Sequence, residues 1–471
     1  MSGRPADATS RVGGASNPIQ SDLAELLRIA WPVVFARLGI MTMGLTDALV
    51  VGQYSAVQLG YHALGWAPTS VVLTVGLGLL SGVQVMTSRA IGEGRMHEAG
   101  AVLRRGLVYA LWIGAISTAV LVAGGPLFLR HSGIEPDLAR GASRALVVFS
   151  MSLPATALSV AGSSWLEGLG RPKPAMAMMW IANVVNLCAD LLLVPGTFGL
   201  PALGAVGGAW ATTTSRTALA AVTLLYIARM KDAGELGVFE KPVRDRAREI
   251  AQRRIGYGAG ASNFFEVSAF AGMNVIAGWL GALSVAAYAA VINVASLVFM
   301  VPLGLATATA VLVGRAYGAG DGAGVTRGSL LGFSVAAVFG LAVSLAVWPG
   351  AQLIAMAFTK DPAAVALAAS ALALSALFLA PDAVQVVVAQ SLRTRGDVLA
   401  PTVTHFTSYA LVMLPLAAWL AAPEKLGLPG TGLGLVGIMW GIIWATLLSA
   451  GLLLARFSIL SARKGPIRKA A

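Results

Sequence analysis

The chain has one cysteine in 471 residues, Cys188. A single thiol excludes an intramolecular disulfide and any thiolate-held metal cluster, so Cys188 is expected to be a small apolar filler inside a helix. Histidine is almost as scarce: His62, His97 and His131 fall at predicted interfaces or loops, and His405 stands alone in a helix as a packing contact. No GxxxxGK[ST] phosphate cradle occurs, which argues against an ATP-driven machine within this chain. Only 11% of residues are charged, and no polar block is long enough to form a separate soluble domain. The first 20 residues hold no apolar stretch of signal-peptide length, so no cleaved signal is expected and the N-terminus is expected in the cytosol.

What is present is oil. Apolar residues make up 57% of the chain and the mean hydropathy is +0.78, too much for one soluble core and characteristic of a polytopic membrane protein. The 55 glycines suit helices whose backbones approach closely in lipid. Apolar spans alternate with short polar breaks such as Gly170-Arg-Pro-Lys-Pro174. They predict twelve transmembrane helices near 31–52, 63–88, 104–126, 142–166, 174–195, 202–228, 255–280, 286–314, 328–354, 364–391, 399–420 and 433–458. With the N-terminus inside, 26 of the 33 Lys and Arg fall on the cytosolic side. Five fall outside (Arg130, Arg140, Arg144, Lys360, Lys425) and two within spans (Arg37, Arg216). The net charge of +12 is therefore a topology signal placing both termini in the cytosol and the protein in the cytoplasmic, inner membrane. It does not indicate a nucleic-acid partner.

Residues 1–25 read as a cytosolic tail, 26–228 as a first lobe, 229–254 as a cytosolic linker, 255–460 as a second lobe and 461–471 as a basic cytosolic tail. The linker's Arg244, Arg246, Arg248, Arg253 and Arg254 suit a solvated, positive-inside segment. The lobes repeat. A shift of 226 residues lays Arg89-Ala-Ile-Gly-Glu-Gly94 over Arg315-Ala-Tyr-Gly-Ala-Gly320, Leu77-Gly-Leu79 over Leu303-Gly-Leu305, and Leu166 with Gly170 over Leu392 with Gly396. Six helices per lobe is an even number, so both lobes enter from the same side. The fold class is all-α: two six-helix lobes related by a pseudo-two-fold axis along the membrane normal, with a cleft between them.

Four acids lie deep in the spans. Asp47 is 19 residues past Arg28 and Asp190 is 17 past Lys173, which puts both ~26 to 28 Å from the inner face. Glu266 is 12 past Arg254 and Asp382 is 11 before Arg393, which puts both ~17 Å in. Such acids are expensive in a bilayer and mark ion or proton paths. In the fifth helix Asn183, Asn186 and Asp190 share one face at i, i+3 and i+7. Asp382 with Gln385, and Asn263 with Glu266 and Asn274, form similar groups. Oxygen donors of this kind suit sodium, with Glu266 and Asp382 as its candidate ligands, and the same acids suit a proton. Asp47, Asn263, Glu266 and Asp382 are expected to face a substrate cavity in the cleft. Under the 226 shift Glu266 falls on Ile40 and Asp382 on Thr156, so each lobe holds its own acids. The hydroxyls of Thr212, Thr213, Thr214 and Ser215 are expected to bond back to their helix, with Arg216 available to counter a carboxylate. Met176, Met178, Met179 and Trp180 read as lipid or helix contacts, with an adaptable drug cavity as the alternative.

These residues together resemble the MATE (multidrug and toxic compound extrusion) transporters over nearly the whole chain after residue 25. The resemblance rests on Pro32, Asp47-x4-Gly52 with Leu59 and Leu64, Arg89-x2-Gly92-x-Gly94, Glu167-Gly-Leu-Gly-Arg-Pro172, Asn183-x2-Asn186, Glu266, Asp382-x2-Gln385 and Leu392-Arg393-x2-Gly396-Asp397. It implies an antiporter exchanging inward-moving sodium or protons for outward-moving cationic, lipophilic compounds, without cofactor or catalysis. The NorM-like branch implies coupling at Asp47, Glu266 and Asp382. The DinF-like branch implies coupling at Asp47 with Asn186 and Asp190. A monomer in the bilayer is expected. The alternatives are a flippase for lipid-linked precursors, which calls for a cationic cavity, and an intramembrane transferase, for which no nucleophile–base pair is evident.

Overall fold

The structure is a computed structural model describing residues 18–241, 245–422 and 430–462. All twelve predicted spans are helices. They are α1 (Pro18–Tyr54), α2 (Ala56–Gly92), α3 (Glu98–His131), α4 (Pro136–Met151 continued by Leu153–Gly168), α5 (Pro172–Leu193), α6 (Ala205–Ala228), α7 (Arg246–Trp279), α8 (Ala282–Ala319), α9 (Gly322–Phe358), α10 (Pro362–Thr394), α11 (Leu399–Ala421) and α12 (Leu435–Ala462). Nine are long and apolar enough to cross a membrane alone, and the bent α4 pair makes a tenth. The other two, α6 and α7, carry the polar band at Thr212 to Arg216 and the basic start at Arg246.

Local chemistry sets the helix ends. Asp321 accepts a hydrogen bond from the Gly324 amide at 2.8 Å and Asp245 from the Arg248 amide at 3.1 Å, each filling an N-cap. Pro136, Pro172 and Pro362 open their helices, where a missing N–H costs nothing. The 40° bend in α4, absent from the sequence reading, follows from Pro154. Its ring removes the donor for the Ser150 carbonyl, and Thr118 Oγ1 donates to that carbonyl instead, at 2.7 Å.

Other boundaries shift as well. Helix α1 starts at Pro18, inside the segment read as a tail, and α7 starts at Arg246, so that most of the basic linker run is its first turns. Arg244, Lys425 and the basic tail from residue 463 lie outside the described residues. Cys188 is exposed rather than a filler, because it sits on the outward face of α5.

Within the first lobe α1 packs on α5, α2 on α4, and α5 on α6; within the second, α8 and α9 pack on α10, and α10 and α11 on α12. The lobes meet where α2 lies along α7 and α8, and α1 lies along α8. Leu26, Ile29 and Val33 of α1 join an apolar cluster with Leu305, Phe333, Val388 and Leu392 of the other lobe. Towards the ends carrying the basic loops, hereafter the basic end, backbones touch. A Cβ on Gly82 would strike the Gln252 carbonyl, and one on Gly256 the Leu79 carbonyl. Likewise Gly92 meets Arg315 O and Gly318 meets Arg89 O. The last two contacts are each other's images under the 226 shift.

Side chains complete this seal with the same symmetry. Arg89 donates through Nη2 to Thr394 O at 2.6 Å, and Arg315 to Leu169 O at 2.9 Å. Each guanidinium thus caps the carboxyl end of a helix in the opposite lobe, where the helix dipole favours a cation. Gly170 (φ 75°) and Gly396 (φ 91°), also 226 apart, turn the chain beneath these guanidinia in a region other residues avoid. Arg327 pairs with Asp22 at 2.6 Å, and Arg248 pairs with Glu98. Asp22 and Arg248 are repeat equivalents, so the two clasps carry opposite polarity.

Candidate ion and substrate sites

In the first lobe α1, α5 and α6 bring Asp47, Asn183, Asn186 and Asp190 together. Asp190 and Asn186 are fully buried and Asp47 is 3% exposed. One oxygen of Asp47 accepts from Thr212 Oγ1, so this hydroxyl does not bond back to its helix as expected. Thr213, Ser215 and Thr217 do. The other Asp47 oxygen and both Asp190 oxygens find no donor, although the two carboxyl groups face one another closely enough to share a proton. Asn186 leaves both amide atoms unpaired, and Asn183 spends its nitrogen on Met179 O at 2.9 Å. Two carboxylates and two amide oxygens, five of whose six oxygens accept from no donor in this structure, form a site for a proton or a hard cation.

His62, read as an interface residue, is buried against Phe149 at 5.1 Å between ring centroids and lies within electrostatic reach of Asp47. Arg216 is buried over the Trp66 ring at 5.0 Å and reaches Thr156 Oγ1 at 3.4 Å. Asp47 offsets its charge.

The second lobe builds its site from α7, α10, α11 and α12. Glu266 and Asp382 are half-buried and lie within electrostatic reach of one another. Gln385 donates to Asp382 Oδ1 at 3.0 Å and to the Tyr409 hydroxyl at 2.5 Å, and accepts from Ser449 Oγ at 2.5 Å. Helix α11 widens into a π segment, Phe406–Met413, and this places Tyr409 on the network; such segments are frequent at functional sites. His405 is buried, and neither ring nitrogen makes a well-formed hydrogen bond, so it is not the satisfied packing contact expected. Arg393 is also buried.

None of Asp47, Asn263, Glu266 and Asp382, expected to face one cavity, lines the chamber described below. Asp47 belongs to the first-lobe group, Glu266 and Asp382 to the second, and the Asn263 amide crosses between lobes to Thr74 O at 2.9 Å. A cavity of about 90 Å³ lies within the first lobe instead, lined by Ile40, Leu77, Thr156, Val160, Met179 and Arg216 among others. Ile40 and Thr156 are the repeat equivalents of Glu266 and Asp382. One position in the fold is thus an acidic network in one lobe and an apolar chamber in the other. Of the methionine stripe, Met179 lines this chamber, Met178 is core and Trp180 is exposed.

Sequence reasoning missed Thr212, His62, Tyr409, Ser449 and Arg393. Spacing along one helix carries no mark of a partner on another, and Arg393 looked like an ordinary inner-face cation.

The MatE family model matches residues 32–192 and 259–419. The chain is 61% identical over 454 residues, 96% of it and 94% of the relative, to a probable multidrug resistance protein NorM of Caulobacter vibrioides. It is 30% identical over 431 residues, 88% of it and 92% of the relative, to the multidrug resistance protein NorM of Vibrio cholerae. Its fold matches the eukaryotic MATE transporter AtDTX14 with a TM-score of 0.85 at 18% identity, covering 96% and 99% of the two chains. It matches an outward-facing multidrug resistance MATE transporter of the MOP superfamily with 0.84 at 20% identity, covering 94% and 97%. The chain belongs to the MATE family, with NorM proteins among its relatives, and is a membrane transporter and not an enzyme.

Proposed function

We propose that the protein is a cation-coupled antiporter that exports lipophilic cations, with sodium or a proton as the coupling ion and no cofactor. The observation that supports it most directly is two acid sites inside the spans: the buried Asp47 with Asp190, whose carboxyl groups face each other, and the half-buried Glu266 with Asp382. A site of this kind binds a cation strongly and is unstable without one. The first-lobe chamber supplies the apolar wall for a substrate's ring system, with Met179 as its adaptable part. The seal at the basic end, which faces the cytosol of the inner membrane in this reading, is the closed gate of an alternating-access cycle, and its release opens the cleft inward. The protein works as a monomer in this scheme, since each site is complete within one chain. A flippase for lipid-linked pyrophosphates is disfavoured because the chamber offers Arg216 alone, already offset by Asp47.

The test is export of a cationic dye from proteoliposomes, driven in turn by a sodium jump and a pH jump. Export that accelerates with either gradient supports the antiport. Export indifferent to both overturns it.

A further inference from the structure

The chamber of the first lobe carries a positive charge on an otherwise apolar wall. Side chains such as Met43, Leu73 and Leu77 form most of that wall, and Arg216 with Thr156 interrupts it. Arg216 is 7% exposed. Its Cζ lies over the Trp66 ring, 5.0 Å from the centroid, and its Nη1 donates to Thr156 Oγ1 at 3.4 Å. Among the described residues that is the guanidinium's one hydrogen bond, and no carboxylate forms an ion pair with it. Asp47 stands near without closing the gap, because its bonded oxygen takes Thr212, one turn before Arg216 on α6. A guanidinium keeps its charge when buried and is costly to hold without an anion.

The repeat gives this position a counterpart. Thr156 falls on Asp382 under the 226 shift. The second lobe therefore sets a carboxylate where the first sets a hydroxyl bonded by a guanidinium, so the same place suits a cation in one lobe and an anion in the other.

We propose that Arg216 is a carboxylate receptor, and that the first-lobe chamber binds lipophilic compounds carrying a carboxylate beside their positive charge. This deepens the export reading above and rests on it. The unbonded Nε and Nη2 form one edge of the guanidinium, and such an edge grips a planar carboxylate through two parallel hydrogen bonds. The chamber, at about 90 Å³, is smaller than the ~150 Å³ that admits one benzene ring. In this state it takes the carboxylate and the carbons next to it. A larger body requires the wall to yield, and Met43 and Met179 are its pliable members.

The test compares tetramethylrhodamine with its methyl ester, two dyes with one cationic body that differ only in whether the carboxylate is free. Binding to the full-length protein is read by fluorescence polarisation at a pH where the acid is ionised, and export is read in proteoliposomes. Losing hydrogen bonds to a charged group weakens binding by roughly tenfold to 150-fold. Arg216→Gln should weaken binding of the free acid by a factor in that range and slow its export relative to the ester. Arg216→Lys, which keeps the charge without the fork, should fall between. If Arg216 serves only to offset Asp47, its loss moves the cationic ester and leaves the electrically neutral acid where it was. If it serves only to hold helices together, both dyes lose alike. Either result overturns the proposal. Should Arg216→Gln not be monodisperse, Arg216→Lys decides: a larger loss for the acid than for the ester supports the receptor, and equal shifts overturn it. A parent that exports neither dye under a sodium or a pH gradient sinks the export reading itself. One that exports the ester but holds the acid no more tightly than Arg216→Gln sinks only this inference.

Discussion

Asp47→Asn is expected to abolish dye export while making the protein harder to melt. The Asp47 and Asp190 carboxyl groups face each other with three oxygens lacking a donor. An asparagine at position 47 brings an amide that donates to Asp190 and still accepts from Thr212, so the group becomes satisfied without an ion. A hydrogen bond to a charged group contributes about 1.5–3 kcal/mol, which raises the melting temperature. The same change removes the ion's preference between the two states of the cycle. Since coupling of about 3 kcal/mol corresponds to roughly 100-fold, export should fall by about that factor. Dye export and thermal melting in detergent, measured on the same preparation, check both halves. Parent-like export would remove Asp47 from the coupling mechanism, and lost export with a lowered melting temperature would mean that the variant is merely damaged.

The twelve spans were legible in the sequence because a bilayer demands long apolar helices, and the repeat was legible because one offset of 226 holds without a gap. The acids were legible for the same reason in reverse: a carboxylate at Asp47 or Asp382 stands out where apolar residues are the rule. Their partners were not. Thr212 looks like any helix hydroxyl until α6 is laid beside α1, and Tyr409 reaches Gln385 only through the π segment of α11. Arg393 was hidden by the positive-inside pattern itself, because a cation 11 residues beyond Asp382 reads as the inner end of a span. That the first-lobe chamber is lined by none of the four acids was not legible for a related reason. Depth along the membrane normal can be counted from sequence, whereas lateral distance across the cleft cannot. The bend of α4 had a visible cause in Pro154, but the compensating hydroxyl of Thr118 lies on another helix.

Gly82→Leu is expected to spring the seal at the basic end. Gly82 has room for no side chain, since its Cβ would press on the Gln252 carbonyl of the opposing lobe, and a backbone carbonyl has no rotamer with which to yield. Overpacking of this kind costs about 1–3 kcal/mol, and the cost falls only on the state in which α2 lies along α7. The population with the basic end open therefore rises by roughly 5- to 150-fold. Val85 offers a reporter: it is fully buried in a small cluster with Ile255 and Val398 of the other lobe, and cysteine is close to it in size. In a Cys188→Ser background, Val85→Cys should react slowly with a maleimide, and adding Gly82→Leu should speed the reaction by a factor in that range while export drops. The same leucine at Gly76, whose Cβ meets nothing within 4 Å, is the control and should leave the labelling rate near that of the parent. Equal labelling rates in the Gly82 and Gly76 variants would mean that the contact between α2 and α7 is not the gate.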